Sequence, residues 1–159
     1  MKITILCVGR IKEKFYSQAI AEYVKRLGRY CQIAIVEVAD EKTPEKASEK
    51  EELQIKEKEG QRLLDKMKDD MYVIALAING QQPDSVGLAN KMKSLMTYQT
   101  SHIAFVIGGS LGLSESVLNR ADEQLSFSKM TFPHQLMRVI LLEQIYRSFR
   151  IIHGEPYHK

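Results

Sequence analysis

The 159-residue sequence contains no tryptophan, only two cysteines and four prolines, and no long uninterrupted hydrophobic run. The lack of such a run argues against a membrane-spanning helix, which needs about 20 consecutive apolar residues. Cys7 and Cys31 fall in strand-like segments without CxxC spacing. This spacing excludes a zinc finger and predicts two reduced, buried thiols in a cytoplasmic protein. The first residues lack the apolar stretch and small-residue cleavage site of a signal peptide, so we expect none.

The sequence also lacks a large excess of charge of one sign, because 23 basic and 20 acidic residues give a net charge of only +3. Acidic residues concentrate between positions 40 and 70, whereas basic residues cluster towards both ends of the chain. The two clusters are Arg10, Lys12, Lys14, Lys25, Arg26 and Arg29, and Arg138, Arg147, Arg150 and Lys159. Basic patches confined to one face are typical of phosphate binding. Ordinary solubilising surface is an equally good explanation.

Strand-like and helix-like segments alternate along the chain, and no repeat or linker divides it. We therefore predict a single α/β domain over residues 1–159. The predicted strands are 3–8, 33–38, 72–78, 102–107 and 124–128. The predicted helices are 12–27, 43–67 with Thr43 as N-cap, 84–98, 115–120, and a last helix from Pro133 to Gly154. The strands at 72–78 and 102–107 are apolar on both faces, which is typical of a parallel sheet flanked by helices.

The last predicted helix is apolar around most of its circumference. Between positions 136 and 152, its one clearly polar stripe consists of Glu143, Arg147 and Arg150. A helix that packs on one side of a sheet needs an apolar arc of little more than about 100°, so a second surface must cover this helix. We predict a homodimer with this helix in the interface. Complete burial of the helix within one subunit is the alternative.

A glycine-rich turn with the sequence GGSLG occupies positions 108–112, directly after the buried strand 102–107. Glycine lets backbone amides and carbonyls approach a ligand closely, and ligands of open α/β sheets bind beyond the carboxyl ends of the strands. The spacing matches neither the dinucleotide-binding GxGxxG motif nor the phosphate-binding GxxxxGK[ST] motif. Both a ligand site and a purely structural turn are consistent with this segment.

The last three residues, Tyr157, His158 and Lys159, place a phenol, an imidazole and an ammonium group just after the predicted interface helix. Imidazole and phenol groups can transfer protons, and a lysine can stabilise a developing anion. These residue types therefore indicate a candidate catalytic tail. A solvated tail without a chemical role is the simpler alternative.

Three segments together resemble the RlmH family of SPOUT-class methyltransferases: GGSLG at 108–112, FSKMTFPH at 127–134 and PYHK at 156–159. The resemblance extends over essentially the whole chain. It implies N3-methylation of a pseudouridine in large-subunit ribosomal RNA on assembled ribosomes, with S-adenosylmethionine as methyl donor and no metal. It also implies a mostly parallel sheet flanked by helices, a C-terminal trefoil knot, a homodimer, and a cytoplasmic protein without a membrane partner.

The resemblance also assigns residues by position. The cofactor-binding positions are Leu76, Gly108, Phe127, Ser128, Lys129, Met130, Thr131 and Phe132. Tyr157 and His158 match the catalytic end of the family and Lys159 its substrate-binding end, where the family often has an arginine. His158 is then the candidate base, Tyr157 positions it or the uracil ring, and Lys159 stabilises charge on a uracil oxygen.

The candidate RNA contacts are the C-terminal basic residues together with Arg10, Lys12 and Lys14 of the cluster near the N-terminus. Three other functions are consistent with the same residues. These alternatives are a SPOUT methyltransferase for transfer RNA, a non-catalytic ribosome-associated RNA-binding factor, and a flavodoxin-like binder of a small ligand.

Overall fold

Five strands and five helices alternate along the chain in the computed structural model, which describes residues 1–159. The strands are β1 Lys2–Val8, β2 Gln32–Val38, β3 Tyr72–Gln81, β4 His102–Ile107 and β5 Glu123–Leu125. The helices are α1 Lys14–Leu27, α2 Glu49–Leu64, α3 Ser85–Tyr98, α4 Glu115–Arg120 and α5 His134–Ile152. The predicted α/β class is confirmed.

All paired strands run parallel, in the order β2-β1-β4-β3-β5. The central strand β4 is buried at every residue, because its continuous apolar sequence is covered on both faces. Helices α1, α3 and α5 pack on one face of the sheet, and α2 and α4 pack on the other. The parallel sheet predicted from the two-sided apolar strands is thereby confirmed.

Several predicted boundaries are wrong: β3 extends to Gln81 rather than 78, α2 ends at Leu64 rather than 67, and two other differences have a clear local cause. Helix α2 begins after Ser48 rather than at Thr43, because Ser48 and Glu51 form a reciprocal cap. The Ser48 hydroxyl accepts the Glu51 amide at 3.2 Å, and the Glu51 carboxylate accepts the Ser48 amide at 3.4 Å. This cap satisfies amides that have no partner within the helix. Strand β5 ends at Leu125 rather than at 128, because the buried Ser126 hydroxyl donates to the Ser128 carbonyl at 3.0 Å and turns the chain.

Helix α5 lies between α1 and α3 and buries four apolar side chains, Leu141, Leu142, Ile145 and Phe149. Seven other apolar residues of the helix are only partly covered within the chain: Leu136, Met137, Val139, Ile140, Tyr146, Ile151 and Ile152. One subunit therefore covers part of the apolar circumference and leaves part of it to solvent or to a partner. The homodimer stays a prediction.

Both cysteines are free thiols, but only Cys7 is fully buried and Cys31 is half-buried. Burial raises the pKa of both thiols to about 11, so both are protonated at neutral pH. No helix has both the length and the apolar character needed to cross a bilayer. Nowhere do three or more histidine, cysteine, aspartate or glutamate side chains group as they would around a metal ion.

The C-terminal basic cluster is not a free basic surface. Arg138 is 1% exposed, and its guanidinium donates to the Glu37 carboxylate at 2.6 Å and to the Gly9 carbonyl at 3.3 Å. Arg147 and Arg150 also form ion pairs, with Glu143 and Glu155 respectively. The expectation that this cluster binds RNA phosphate is therefore wrong for Arg138, whose charge is enclosed by protein. Among the four residues, only Lys159 is both exposed and without an ion pair.

The two partners of the Arg138–Glu37 pair are expected to differ in their effect on stability. Glu37→Ala leaves a buried guanidinium without its carboxylate, whereas Arg138→Met leaves a carboxylate that is 38% exposed and can be hydrated. We expect Glu37→Ala to lower the free energy of unfolding by about 2–3 kcal/mol, somewhat less than for a fully enclosed pair. Arg138→Met is expected to cost less. Urea denaturation of both variants measures the difference, and a larger loss for Arg138→Met contradicts this account.

Candidate functional site

A cavity of about 610 Å³ opens where β3, β4 and β5 end. Its walls come from the end of β3, the glycine turn 108–112, the segment after β5, and the first turn of α5. About half of the 19 lining residues are apolar. Small-molecule sites are typically concave, partly apolar and about 300–1,000 Å³ in volume. The cavity is therefore large enough for a nucleoside-sized ligand. It lies beyond the carboxyl ends of the strands, where the glycine turn predicts a ligand site.

The glycine turn owes its shape to a close backbone approach. A Cβ atom on Gly108 would lie 2.7 Å from the carbonyl carbon of Gly112, so no other residue fits there without a shift of the backbone. Gly112 itself has a φ of +89°, in the left-handed region that favours glycine. The Gly112 amide donates to the Gly109 carbonyl at 3.0 Å and closes the turn. The result is a compact turn whose backbone lines the cavity.

The segment after β5 is folded by two serines that contact backbone groups. Besides its bond to Ser128, the Ser126 hydroxyl accepts a hydrogen bond from the Gln82 side chain at 3.2 Å. The Ser128 hydroxyl accepts the Met130 amide at 3.0 Å. These bonds hold residues 126–130 in a curved path along the cavity, so that side chains of this segment face the same space as the glycine turn.

Seven of the eight residues predicted to bind the cofactor line this cavity: Leu76, Gly108, Phe127, Ser128, Met130, Thr131 and Phe132. Lys129 belongs to the same segment but is exposed and does not line the cavity. Sequence reasoning missed several lining residues, among them Ser126, His134 and Met137. His134 follows Phe132 by two positions, so extending the predicted 127–132 segment by two residues would have found it.

His134 contributes a ring that is uncharged at neutral pH. Burial, reinforced by the nearby Arg138 charge, lowers the pKa of His134. Its Nε2 lies beside Gly9, since a Cβ placed on Gly9 would be 3.8 Å away from it. The start of α5 therefore brings a neutral imidazole to the cavity at the point where the loop after β1 begins.

The predicted tail residues lie along α5. The Tyr157 hydroxyl donates to Glu143 at 3.2 Å, and its ring packs edge-on against Tyr146 at 5.0 Å. The Arg147 guanidinium lies over the Tyr157 ring at 4.7 Å and donates to Nδ1 of His158 at 3.1 Å. The tail is thus folded back onto the helix by aromatic and charged contacts rather than frayed.

Within one chain, the tail and the cavity are separated. Met137 lines the cavity, whereas Arg147 holds His158. Because an α-helix rises about 1.5 Å per residue, these two positions on α5 are about 15 Å apart along the axis. Neither Tyr157, His158 nor Lys159 lines the cavity. Within a single chain, the tail and the glycine turn therefore do not share one site.

The contacts of the tail indicate where Tyr157 and His158 carry their protons. Burial, followed by the Glu143 charge, raises the pKa of Tyr157 to about 12, so the phenol keeps its proton at neutral pH and donates it to Glu143. An arginine can only donate hydrogen bonds. Nδ1 of His158 must therefore be the acceptor in its contact with Arg147, and the neutral ring carries its proton on Nε2.

Arg10 lies at the same edge of the sheet as the cavity. It follows Gly9 at the end of β1, which pairs with β4 up to Cys7 opposite Ile107. Its side chain is exposed and forms no ion pair. The loop is tied to α5 because the Lys12 amide donates to the Gln135 side chain at 3.1 Å. The structure therefore places this predicted substrate contact close to the cavity and away from the tail of the same chain.

Comparison with known proteins gives consistent results. The family model described as "Predicted SPOUT methyltransferase" matches residues 1–158. A protein of Bifidobacterium adolescentis named ribosomal RNA large subunit methyltransferase H is 64% identical. Proteins with the same name from Clostridium novyi and Clostridium beijerinckii are each 63% identical. Each of these alignments covers 159 residues, the full length of this chain and of the relative.

Proposed function

This chain belongs to the SPOUT family of methyltransferases, and from that premise we propose that it methylates N3 of a pseudouridine in large-subunit ribosomal RNA. S-adenosylmethionine is the methyl donor, and the substrate is the assembled ribosome in the cytoplasm. The observation that carries the proposal is the cavity formed by the glycine turn and the 126–132 segment, in a chain whose full-length relatives are named for this class of RNA. Those names favour ribosomal RNA over transfer RNA and favour catalysis over a purely binding role.

The residues at the cavity suit S-adenosylmethionine. Leu76, Phe127 and Phe132 provide apolar walls for an adenine ring, and Ser128 and the turn backbone provide polar groups for its edge. A Cβ on Gly108 would meet the Gly112 backbone of the same turn, so glycine at this position keeps the turn compact and its backbone at the wall of the cavity. When bound, the cofactor supplies an electrophilic methyl group on a positively charged sulfur. Lys129, which does not line the cavity, is the weakest of the proposed cofactor contacts.

The chain's own chemical task is to remove a proton. N3 of pseudouridine is an imide nitrogen that is protonated at neutral pH, and its proton must leave before or during methyl transfer. We assign proton acceptance to His158, with Tyr157 as the group that positions either that ring or the uracil ring. Because Nδ1 of His158 accepts from Arg147 in the free chain, His158 must release Arg147 before it takes the proton. Lys159 and Arg10 are assigned to the substrate, where their charges stabilise a uracil oxygen and the RNA backbone.

A homodimer is part of this proposal, because the cavity and the tail of one chain are about 15 Å apart along α5. A second subunit supplies a tail to the cavity of the first. The partly covered apolar residues of α5, among them Ile140 and Ile151, support an interface along this helix. We further propose that each subunit is a single domain over residues 1–159 and carries the C-terminal trefoil knot of the family.

The test uses ribosomes from cells that lack this protein. Purified protein is incubated with S-adenosylmethionine and either these ribosomes, free ribosomal RNA or bulk transfer RNA, and the nucleosides are analysed by mass spectrometry. We expect 3-methylpseudouridine in the ribosome sample alone. Calorimetry measures cofactor binding in parallel. Methylation of transfer RNA instead supports a different substrate, and no cofactor binding at millimolar concentration contradicts an enzymatic function.

A further inference from the structure

An aromatic pair with an exposed phenyl ring and a half-buried tyrosine lies at the start of α1. The Phe15 side chain is 61% exposed, and the rings of Phe15 and Tyr16 are tilted against each other with centroids 4.4 Å apart. Phe15 belongs to neither buried core cluster. The helix keeps its own apolar face for Ile20 and Leu27, so packing within the chain does not explain the outward phenyl ring.

The surroundings of Phe15 are positively charged and unneutralised. Arg10, Lys12 and Lys14 are all exposed, and none of them forms an ion pair within the chain, unlike the arginines of α5. Glu13 is the one acidic residue between positions 10 and 21. Together, Phe15 and these three cations form an aromatic–basic patch whose charge is complementary to a polyanion.

The aromatic–basic patch lies beside the cavity. Its Lys12 amide is bonded to Gln135 on α5, and the neighbouring His134 lines the cavity. An RNA strand that inserts one nucleotide towards the cavity therefore passes next to this patch. Single-stranded RNA is bound in general by cations that contact its phosphates and by aromatic rings on which its bases stack.

We propose that Phe15 is a base-stacking residue of the substrate-binding surface. An unpaired base that flanks the target nucleotide stacks on the phenyl ring, while Arg10, Lys12 and Lys14 contact the adjoining phosphates. This inference rests on the proposed function, because the RNA is the substrate of the same site. It adds base stacking on the face of the Phe15 ring to the contacts between cations and phosphates.

The experiment compares Phe15→Leu and Phe15→Trp with the wild-type protein and with Tyr98→Leu. Leucine keeps the apolar volume but removes the ring, whereas tryptophan keeps a ring for stacking. Tyr98 is 82% exposed at the end of α3, directly before β4 begins, at the sheet edge opposite the cavity. Binding to ribosomes from cells lacking the protein is measured by filter retention at several salt concentrations, and KM and kcat are measured by methylation.

We expect Phe15→Leu to weaken ribosome binding and to raise KM for ribosomes by at least about fivefold, the lower end of the measured effect of base stacking. The kcat value and the affinity for S-adenosylmethionine are expected to stay at the wild-type level. Phe15→Trp and Tyr98→Leu are expected to bind as the wild type does. Sedimentation velocity and thermal unfolding check that all variants keep the same oligomeric state and fold.

Each outcome separates the stacking inference from the proposed function. Equal ribosome binding by Phe15→Leu and the wild type overturns the inference and leaves the function intact. A changed oligomeric state of Phe15→Leu also overturns it, because the ring then belongs to a subunit contact. If the wild type binds ribosomes without methylating them, the proposed function fails, and the binding comparison between the variants still decides the role of Phe15.

Discussion

His158→Ala is expected to lower kcat for ribosome methylation by about 10²–10⁴-fold, the usual contribution of a general base. The side chain is exposed, and its recorded hydrogen bond is the one with Arg147. The substitution therefore removes a proton acceptor with little effect on the fold. Single-turnover methylation at saturating ribosome concentration measures the effect, and calorimetry is expected to show unchanged affinity for S-adenosylmethionine.

His153→Ala is the matched control for this variant. His153 is also an exposed histidine near the end of α5, but it stacks on Tyr30 at 5.2 Å and is not assigned to the reaction. We expect its turnover to stay close to that of the wild type. If His158→Ala binds the cofactor and keeps near wild-type turnover across the pH range, His158 is not the base.

Gly108→Ala is expected to weaken cofactor binding and to reduce kcat/KM by up to about 100-fold. The added Cβ would lie 2.7 Å from the backbone of Gly112, so the turn has to shift by a few tenths of an ångström to one ångström. A misplacement of about 1 Å at a reacting centre costs about 10²-fold in rate. Calorimetry with S-adenosylmethionine and steady-state methylation measure the two losses.

Gly28→Ala is the control, because it makes the same substitution away from the cavity. Gly28 ends α1 with right-handed helical backbone angles, and its Cβ would lie 3.3 Å from the nearest atom, the Lys25 carbonyl oxygen. We expect Gly28→Ala to bind the cofactor normally. Wild-type affinity in Gly108→Ala would mean that the turn does not approach the ligand closely.

The arrangement of strands and helices was predictable because it depends on local patterns. The apolar sequence of β4 indicates burial on both faces, and the glycines at 108–112 indicate a tight turn at the end of that strand. The same reasoning was wrong at the start of α2, where Thr43 and Ser48 are both good N-caps. Only the reciprocal bond between Ser48 and Glu51 distinguishes them.

Charge was the property that sequence predicted least well. Arg138, Arg147 and Arg150 form a basic cluster in the sequence, yet each is paired with a carboxylate. Glu37, the partner of Arg138, is about 100 positions away along the chain. Pairing at this separation depends on how α5 lies across the ends of β1 and β2, which no local pattern encodes. Within the two basic clusters, the residues that form no ion pair are Arg10, Lys12, Lys14, Lys25 and Lys159.

The amino-acid sequence alone was sufficient for the fold class and the glycine turn, because these depend on local periodicity and on a contiguous motif. The family resemblance supplied the eight predicted cofactor residues, seven of which are among the 19 residues that line the cavity. The tertiary structure was needed to show which charges are neutralised and that His158 lies about 15 Å along α5 from the cavity. The physical reason is that distances between segments far apart in the chain are set by the packing of α5 on the sheet and on its neighbouring helices. Local sequence does not specify that packing.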